Sequence, residues 1–204
     1  MREAVYTIGH STYPVERLID LLQLHNITAL CDVRSQPYSR VNPQYNREDL
    51  KIALQARGIE YVFLGKELGA RSEDPSCYLY GKVQYDRLAE TDLFRYGLGR
   101  VQDGMKEYRI VLMCAEKEPL ECHRTILVGR YLVELGIEVQ HIHSDGRIES
   151  HGDALIRLAR MLKLREAEEH MFRTREALFA DAYSLQEKRI GYDSDSTEAR
   201  SNVG

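Results

Sequence analysis

Short apolar segments alternate with helical patterns along most of the chain. Compact apolar runs bounded by polar residues are typical of buried strands, whereas apolar residues three and four positions apart indicate amphipathic helices. The strand pattern occurs at 4–8, 27–33, 59–64, 109–113 and 137–142. The helical pattern occurs at 14–22, 46–57, 83–105 and 120–135. This alternation predicts an α/β fold with a mostly parallel, five-stranded open sheet flanked by helices.

The ends of three predicted helices support parallel strands. Asn26, Gly58 and Gly136 each tolerate the left-handed conformation that ends a helix, and an isoleucine that begins a strand follows each of them. Helices that end directly in strands are typical of the right-handed crossovers that join parallel strands.

The sequence changes character after residue 152. No further strand pattern follows, and amphipathic stretches at 154–164 and 166–188 predict helices. Residues 193–204 carry few apolar side chains, so burial cannot offset the entropy that ordering them costs. We therefore expect an α/β domain carrying the functional site at 1–152, a C-terminal helical extension packed on it at 153–190, and a flexible tail at 191–204.

Composition narrows the class of protein. The chain has 204 residues, 43% of them hydrophobic, and a net charge of −4. Such a chain suits one main domain and argues against a broadly basic surface for duplex DNA. No apolar run approaches the roughly 18 residues of a membrane span, and the first residues lack a secretory-signal pattern. The four cysteines show no CxxC spacing, which predicts reduced thiols. Together these features predict a cytoplasmic protein with no membrane partner.

Chemically capable residues follow each predicted strand. Ligands of open parallel sheets bind beyond the carboxyl ends of the strands, so clusters at these positions predict one shared site. The clusters are His10-Ser11-Thr12, Asp32-Val33-Arg34-Ser35, and the segments 64–71, 114–117 and 143–146.

Cys114 is the leading candidate for a nucleophile. It ends a predicted strand shortly before a helix start and close to Lys117, and both features lower the pKa of a thiol. His10, Glu116 and Asp32 are the other candidate catalytic residues, because imidazole and carboxylate groups can transfer protons. The alternative is that Cys114 is an inert residue finishing a core strand.

Basic and hydroxyl side chains in the same clusters are candidates for holding an anion. Paired guanidinium donors and helix N-termini both bind phosphate or carboxylate. The alternative for the loop after the second strand is an internal ion pair between Asp32 and an arginine that only fixes the loop. The candidate binding residues are Ser11, Arg34, Ser35, Ser39, Arg40, Arg71, Lys117, His123 and Arg124.

Metal ligation is not expected from the sequence. Cys114, Cys122, His123 and His10 lack CxxC or HxxxH pairs, so they fit no standard zinc framework. We therefore predict no metal ligands. The sequence names neither a cofactor nor an oligomeric state.

Several clusters occur in an order typical of one protein family. They are Thr7-Ile8-Gly9-His10-Ser11, Asp32-Val33-Arg34-Ser35 with Pro37, Leu64-Gly65 with Leu68-Gly69, and 113–117 followed by Cys122-His123-Arg124. In this order the sequence resembles the DUF488 family over roughly residues 4 to 188. The resemblance implies a compact α/β domain in bacteria or archaea and no established reaction. Two positions depart from the family pattern. The aromatic residue expected after Asn42-Pro43 is Tyr45 here, and Lys66 stands where a second glycine usually follows Leu64-Gly65.

We expect an enzyme, a Cys- or His-assisted transferase or hydrolase, that acts on a small anionic, nucleotide-like or nucleic-acid substrate at the carboxyl ends of the strands. The alternative is a non-catalytic module that binds a nucleotide or nucleic acid with the same arginines and tyrosines. In a third, structural interpretation the clusters only satisfy one another, which predicts burial of Arg34 and Cys114 with no open cleft.

Overall fold

The computed structural model describes residues 4–164 and 174–194. The predicted tail beyond residue 194 and the part of the second C-terminal helix prediction at 166–173 lie outside these ranges. The strands are β1 Ala4–Gly9, β2 Ala29–Asp32, β3 Glu60–Phe63, β4 Tyr78–Leu79, β5 Lys82–Val83, β6 Ile110–Cys114, β7 Glu138–Ile142 and β8 Ile148–Ser150. The α-helices are α1 Val15–Leu24, α2 Arg47–Gln55, α3 Gly65–Leu68, α4 Tyr85–Ala89, α5 Asp92–Gly104, α6 Arg130–Glu134, α7 His151–Met161 and α8 Arg175–Ile190.

The main sheet has six strands in the order β3-β2-β6-β1-β7-β8. The first five are parallel, and β8 pairs antiparallel with β7 at one edge. The predicted α/β fold with a mostly parallel sheet flanked by helices is confirmed. The predicted count of five strands is one short, because β8 has three residues and so short a segment carries no readable alternation. A separate antiparallel pair, β4–β5, lies in the long connection after β3.

Apolar side chains cover both faces of the sheet. Helices α1 and α2 pack on one face with Ile8, Leu30 and Met113, and α5 to α8 pack on the other with Cys31 and Leu112. Every residue of β6 is buried, which explains its continuous apolar run. Among the described residues, no helix combines the length and apolar character needed to cross a bilayer.

The neighbouring strands β2 and β6 define where a site can form. The connection after β2 leads to α2 on one face, whereas the connection after β6 leads to α6 on the other. Because these two connections leave the sheet on opposite faces, a crevice opens beyond the carboxyl ends of β2 and β6.

A buried hydrogen-bonded chain fastens the C-terminal helices to the sheet. Thr7 Oγ1 lies 2.7 Å from His141 Nδ1, His141 Nε2 lies 3.1 Å from His151 Nδ1, and His151 Nε2 lies 2.6 Å from the Tyr183 hydroxyl. Each neutral ring offers one N–H donor and one acceptor, so the chain is satisfied when both histidines are uncharged. Burial lowers the pKa of His151 from 6.5 to about 4.

The segment after α8 is hydrogen-bonded to the antiparallel pair β4–β5 and its turn. Val83 N donates to Tyr192 O at 2.9 Å, and Ser194 N donates to Gly81 O at 2.9 Å. The described part of the predicted tail, 191–194, therefore contacts the domain, and its Tyr192 reaches the crevice between β2 and β6.

Gly9 allows the strand ends to approach closely. A Cβ at Gly9 would lie 1.8 Å from the Glu116 carbonyl oxygen, whereas a Cβ at Gly99 in α5 would meet nothing within 4 Å. We predict that Gly9→Ala lowers the free energy of unfolding by about 1–3 kcal/mol, and that Gly99→Ala raises it by up to about 1 kcal/mol. Urea denaturation measures both, and a Gly9→Ala protein as stable as the wild type would contradict the close packing.

The histidine chain makes stability depend on pH. Below pH 6.5 the unfolded chain protonates His151, but the folded protein does so only near pH 4. The free energy of unfolding therefore decreases as the pH falls through this window, by up to about 3 kcal/mol at about 1.4 kcal/mol per pKa unit. We predict a weaker loss for His151→Gln when chemical denaturation is compared at pH 7 and pH 4.5. Parallel profiles for the two proteins would contradict this.

Candidate active site

A pocket of 330 Å³ lies beyond the carboxyl ends of β2 and β6. Its position is the crevice that the two diverging connections leave open. The C-terminal segment also contributes, through Ile190 and Tyr192. The lining residues are Arg34, Ser35, Gln36, Tyr38, Ala70, Arg71, Tyr85, Cys114, Ala115, Glu116, Glu121, Cys122, His123, Ile190 and Tyr192.

Two thiols, an imidazole and a carboxylate meet in this pocket. We call Cys114, Glu116, Cys122 and His123 the thiol cluster, and their Sγ, Nδ1 and carboxylate atoms all lie within 4.8 Å of one another. Cys122 Sγ donates to Glu116 Oε2 at 3.0 Å, and His123 Nδ1 lies 3.6 Å from Cys114 Sγ. The two cysteines and His123 are buried, whereas Glu116 is exposed as a whole residue although its carboxylate contacts Cys122.

The chain builds this cluster over a short loop. Cys114 ends β6, and a 3₁₀ turn at Pro119–Glu121 brings the chain back so that Cys122 and His123 face it. A π-helical segment, Arg124–Gly129, follows, and such widened turns are frequent at functional sites.

Arg124 holds the loop in place. Its guanidinium is buried and donates to Glu116 O at 2.7 Å and to Lys117 O at 3.2 Å. The terminal nitrogens of this predicted anion-binding residue therefore donate to backbone carbonyls, its Nε has no partner among the described residues, and the residue does not line the pocket.

The two thiols differ in how readily they ionise. Burial raises the pKa of Cys114, and the neighbouring Cys122 raises it further. Burial also opposes ionisation of Cys122, but the hydrogen bond from Cys114 and the charges of Arg124 and His123 outweigh it and lower the pKa of Cys122. The lowered pKa expected for Cys114 is therefore wrong, because the strand end is more deeply buried than its place in the sequence suggests.

The pKa values of Glu116 and His123 are both raised by their surroundings. Burial and then Cys122 raise the pKa of Glu116. Burial lowers the pKa of His123, yet Cys122 and Glu116 outweigh it and raise the pKa overall. Perturbed pKa values in adjacent groups beside a pocket are typical of functional sites.

Arg34 is anchored by a buried ion pair. Its Nε and terminal NH2 donate to the two carboxylate oxygens of Asp32 at 2.9 and 2.6 Å, and NH2 also donates to Tyr45 O at 2.8 Å. Tyr61 completes the shell by donating to Asp32 at 2.8 Å. The internal ion pair considered as an alternative is present, and Arg34 nevertheless lines the pocket.

His10 supports Arg34 and does not face the thiols. Its ring stacks on Tyr45 with centroids 3.9 Å apart, its Nδ1 donates to Ser11 O at 2.6 Å, and its Nε2 accepts from Arg34 at 3.3 Å. Burial and then Arg34 lower the pKa of His10 to about 4, so the ring is neutral at pH 7. His10 and Tyr45 lie on the face of α1 and α2, opposite Cys114.

Arg71 is a cation available to a ligand in the pocket. Its guanidinium stacks over the Tyr192 ring at 4.4 Å, and its backbone N donates to Ser35 Oγ at 3.1 Å. Across residues 4–164 and 174–194 no carboxylate forms an ion pair with it. The stacking leaves the N–H edges of the guanidinium free to bind an anion.

The candidate residues thus fall into two sets. Cys114, Glu116, Arg34, Ser35, Arg71 and His123 line the pocket. Asp32 and His10 lie behind Arg34, and Ser39 Oγ accepts from Val41 N and Asn42 N within its own loop. Outside the pocket lining are Asp32, His10, Ser11, Ser39, Arg40, Lys117 and Arg124.

Sequence reasoning did not select Cys122 and Tyr192 for the site. The triplet Cys122-His123-Arg124 carried the signal for the first, but its proximity to Cys114 depends on the intervening turn. Tyr192 lies within the predicted tail, 191–204, and no pattern in the sequence indicated a role for it.

Comparison with known families identifies the chain. The model of DUF488, a domain of unknown function, matches residues 14–131, more than half of the 204 residues. The protein therefore belongs to the DUF488 family. Comparison with the curated proteins and with the solved structures finds no match.

The buried ion pair predicts a large effect of Asp32→Asn. Asp32 is fully buried, and removing one partner of a buried pair leaves an uncompensated charge that costs about 3–5 kcal/mol. We expect that loss in urea denaturation, together with displacement of Arg34. The matched control is Asp103→Asn, which removes an exposed pair with Lys106 and should cost less than about 1 kcal/mol. Equal effects of the two substitutions would contradict the anchoring of Arg34.

Proposed function

We propose that this protein is an enzyme that acts on a small anionic, nucleotide-like substrate in the pocket beyond β2 and β6. In this proposal Arg71 holds the anionic group, Arg34 lines the pocket beside it, and the thiol cluster faces the reacting atoms. The positive charge of Arg71 indicates an anionic substrate. The thiol, imidazole and carboxylate groups of the thiol cluster indicate a transfer or hydrolysis reaction.

The observation that carries the proposal is the position of Arg71, which forms no ion pair within residues 4–164 and 174–194, beside the thiol cluster. Arg71, Cys114 and Glu116 line the same 330 Å³ pocket. A stacked guanidinium with free N–H edges matches the planar geometry of carboxylate and phosphate. The purely structural interpretation predicts no open cleft, and the pocket argues against it even though Arg34 and Cys114 are buried.

The pocket favours a small ligand over a polynucleotide. Its volume is at the lower end of the roughly 300–1,000 Å³ of small-molecule sites. The net charge of −4 disfavours a broad nucleic-acid surface. Tyr38 is 63% exposed at the rim, and an exposed ring of this kind can stack on a base.

The thiol cluster favours catalysis over binding alone. Buried polar groups cost free energy unless they are paired, and Cys114, Cys122 and His123 are three such groups gathered beside an open pocket. The cluster places a thiol, an imidazole and a carboxylate beside the pocket, and acid–base chemistry uses such groups.

Anion binding tests the role of Arg71. Isothermal titration with inorganic phosphate and with AMP measures affinity for the wild type and for Arg71→Gln. We predict at least ~10-fold weaker binding by Arg71→Gln, since a charge-assisted hydrogen bond is worth about 1.5–3 kcal/mol. Arg40→Gln is the control, because Arg40 is exposed and lies outside the pocket, and it should bind like the wild type. Equal affinity of all three proteins, or no binding, would overturn the anion site.

A product assay separates an enzyme from a binding module. The wild type is incubated with nucleoside mono- and diphosphates, and products are followed by chromatography and mass spectrometry. The proposal expects turnover that Cys122→Ser loses while AMP affinity is kept. Binding without any product would support the non-catalytic module instead.

A further inference from the structure

The thiol cluster has the composition and geometry of a metal-binding site. We propose that Cys114, Cys122 and His123, with Glu116 as an exchangeable fourth ligand, bind one divalent metal ion of the zinc class. The inference is independent of the substrate proposed above, because it depends only on the four side chains and their surroundings.

The observed distances approach the edges of a tetrahedron around zinc. Zn–S bonds of about 2.3 Å and Zn–N bonds of about 2.0–2.1 Å place sulfur and nitrogen about 3.5 Å apart in a tetrahedral site. His123 Nδ1 lies 3.6 Å from Cys114 Sγ and 3.8 Å from Cys122 Sγ. These two distances are within a few tenths of an ångström of the tetrahedral value, and all four donor atoms lie within 4.8 Å of one another.

The imidazole of His123 is already oriented for ligation. Its Nε2 lies 3.0 Å from Val33 O, and a carbonyl can only accept, so Nε2 carries a hydrogen. The other nitrogen, Nδ1, faces both sulfur atoms. Histidine ligands of metals typically donate their second ring N–H to a carbonyl or carboxylate in this way. The linear spacing that argued against a metal in the sequence does not show this arrangement.

The surroundings compensate the charge of two thiolates. Arg124 N donates to Cys122 Sγ at 3.5 Å, and the buried Arg124 guanidinium holds the carbonyls of Glu116 and Lys117. When the hydrated metal ion binds, bonds to both sulfur atoms and to His123 Nδ1 replace bonds to water, the two S–H bonds break, and the protons and the displaced waters go to solvent. No oxidant or reductant is needed.

The donor set indicates the metal and the type of site. Two thiolates and one imidazole suit zinc more than the hard cations Mg²⁺ and Ca²⁺, which prefer oxygen. The three buried donors are fixed, whereas Glu116 is exposed at the pocket. Three protein ligands plus an exchangeable position are typical of catalytic rather than structural zinc sites.

Metal titration tests the site directly. Full-length protein is stripped with a chelator under reducing conditions, then titrated with Zn²⁺ against a chromophoric chelator and with Co²⁺ by absorption. The proposal expects one Zn²⁺ per chain, and for Co²⁺ a thiolate charge-transfer band together with the intense d–d bands of tetrahedral coordination. No binding, or a cobalt spectrum without thiolate bands, would overturn it.

Variants identify the ligands. Cys114→Ser, Cys122→Ser and His123→Asn should each weaken Zn²⁺ binding by more than ~100-fold, since even outer-shell changes cost about 10–100-fold. Glu116→Gln should weaken it less and keep the thiolate band. The matched controls are Cys31→Ser and Cys77→Ser, which remove the two buried thiols outside the cluster, and Arg71→Gln, which removes the anion contact; all three should bind Zn²⁺ like the wild type. Equal losses in these controls would contradict the assignment.

The wild type provides a test that needs no variant to fold. Alkylation by iodoacetamide is followed at each cysteine by mass spectrometry, with Zn²⁺ and with chelator. Zn²⁺ should slow the reaction of Cys114 and Cys122 and leave Cys31 and Cys77 unchanged. Unchanged rates at Cys114 and Cys122 would overturn the site, and this result is separate from the outcome of phosphate or AMP binding.

Discussion

The parallel pairing of β6 with β2 is the constraint on which the rest of the site depends. Asp32 lies opposite Met113 in this pair, so the residues that follow the two strands leave the sheet side by side. Their connections then run to opposite faces, which keeps the space between them open. The hydrogen bond from His123 to Val33 O joins the two loops at 3.0 Å and fixes the floor of the pocket.

The basic residues near this pocket divide into two roles. Arg34 and Arg124 are buried and use their donors on Asp32 and on backbone carbonyls, so they hold loops in position. Arg71 stacks on Tyr192 and keeps its polar edges available. Counting arginines in the sequence therefore overstates the positive charge offered to a ligand. The C-terminal segment contributes to the pocket as well as to packing, because its Tyr192 supplies the ring over which Arg71 stacks.

The sequence predicts the fold better than the site, for physical reasons. Buried parallel strands require continuous apolar runs, so their positions can be read directly from the sequence. The three residues of β8 are too few to show such a pattern. The crowding of polar residues at strand ends is equally visible. Which of them meet depends on side-chain alternation: His10 follows Gly9, the partner of Cys114, and so faces the opposite side. The approach of Cys122 to Cys114 depends on a turn whose shape no periodicity encodes.

An experimental structure of the full chain, crystallised with phosphate, tests the central claim most directly. We predict phosphate density between the Arg71 guanidinium and the thiol cluster, with Cys114 and Arg34 lining the same pocket. Density elsewhere with this pocket empty, or Cys114 and Arg34 on separate surfaces, would contradict the account.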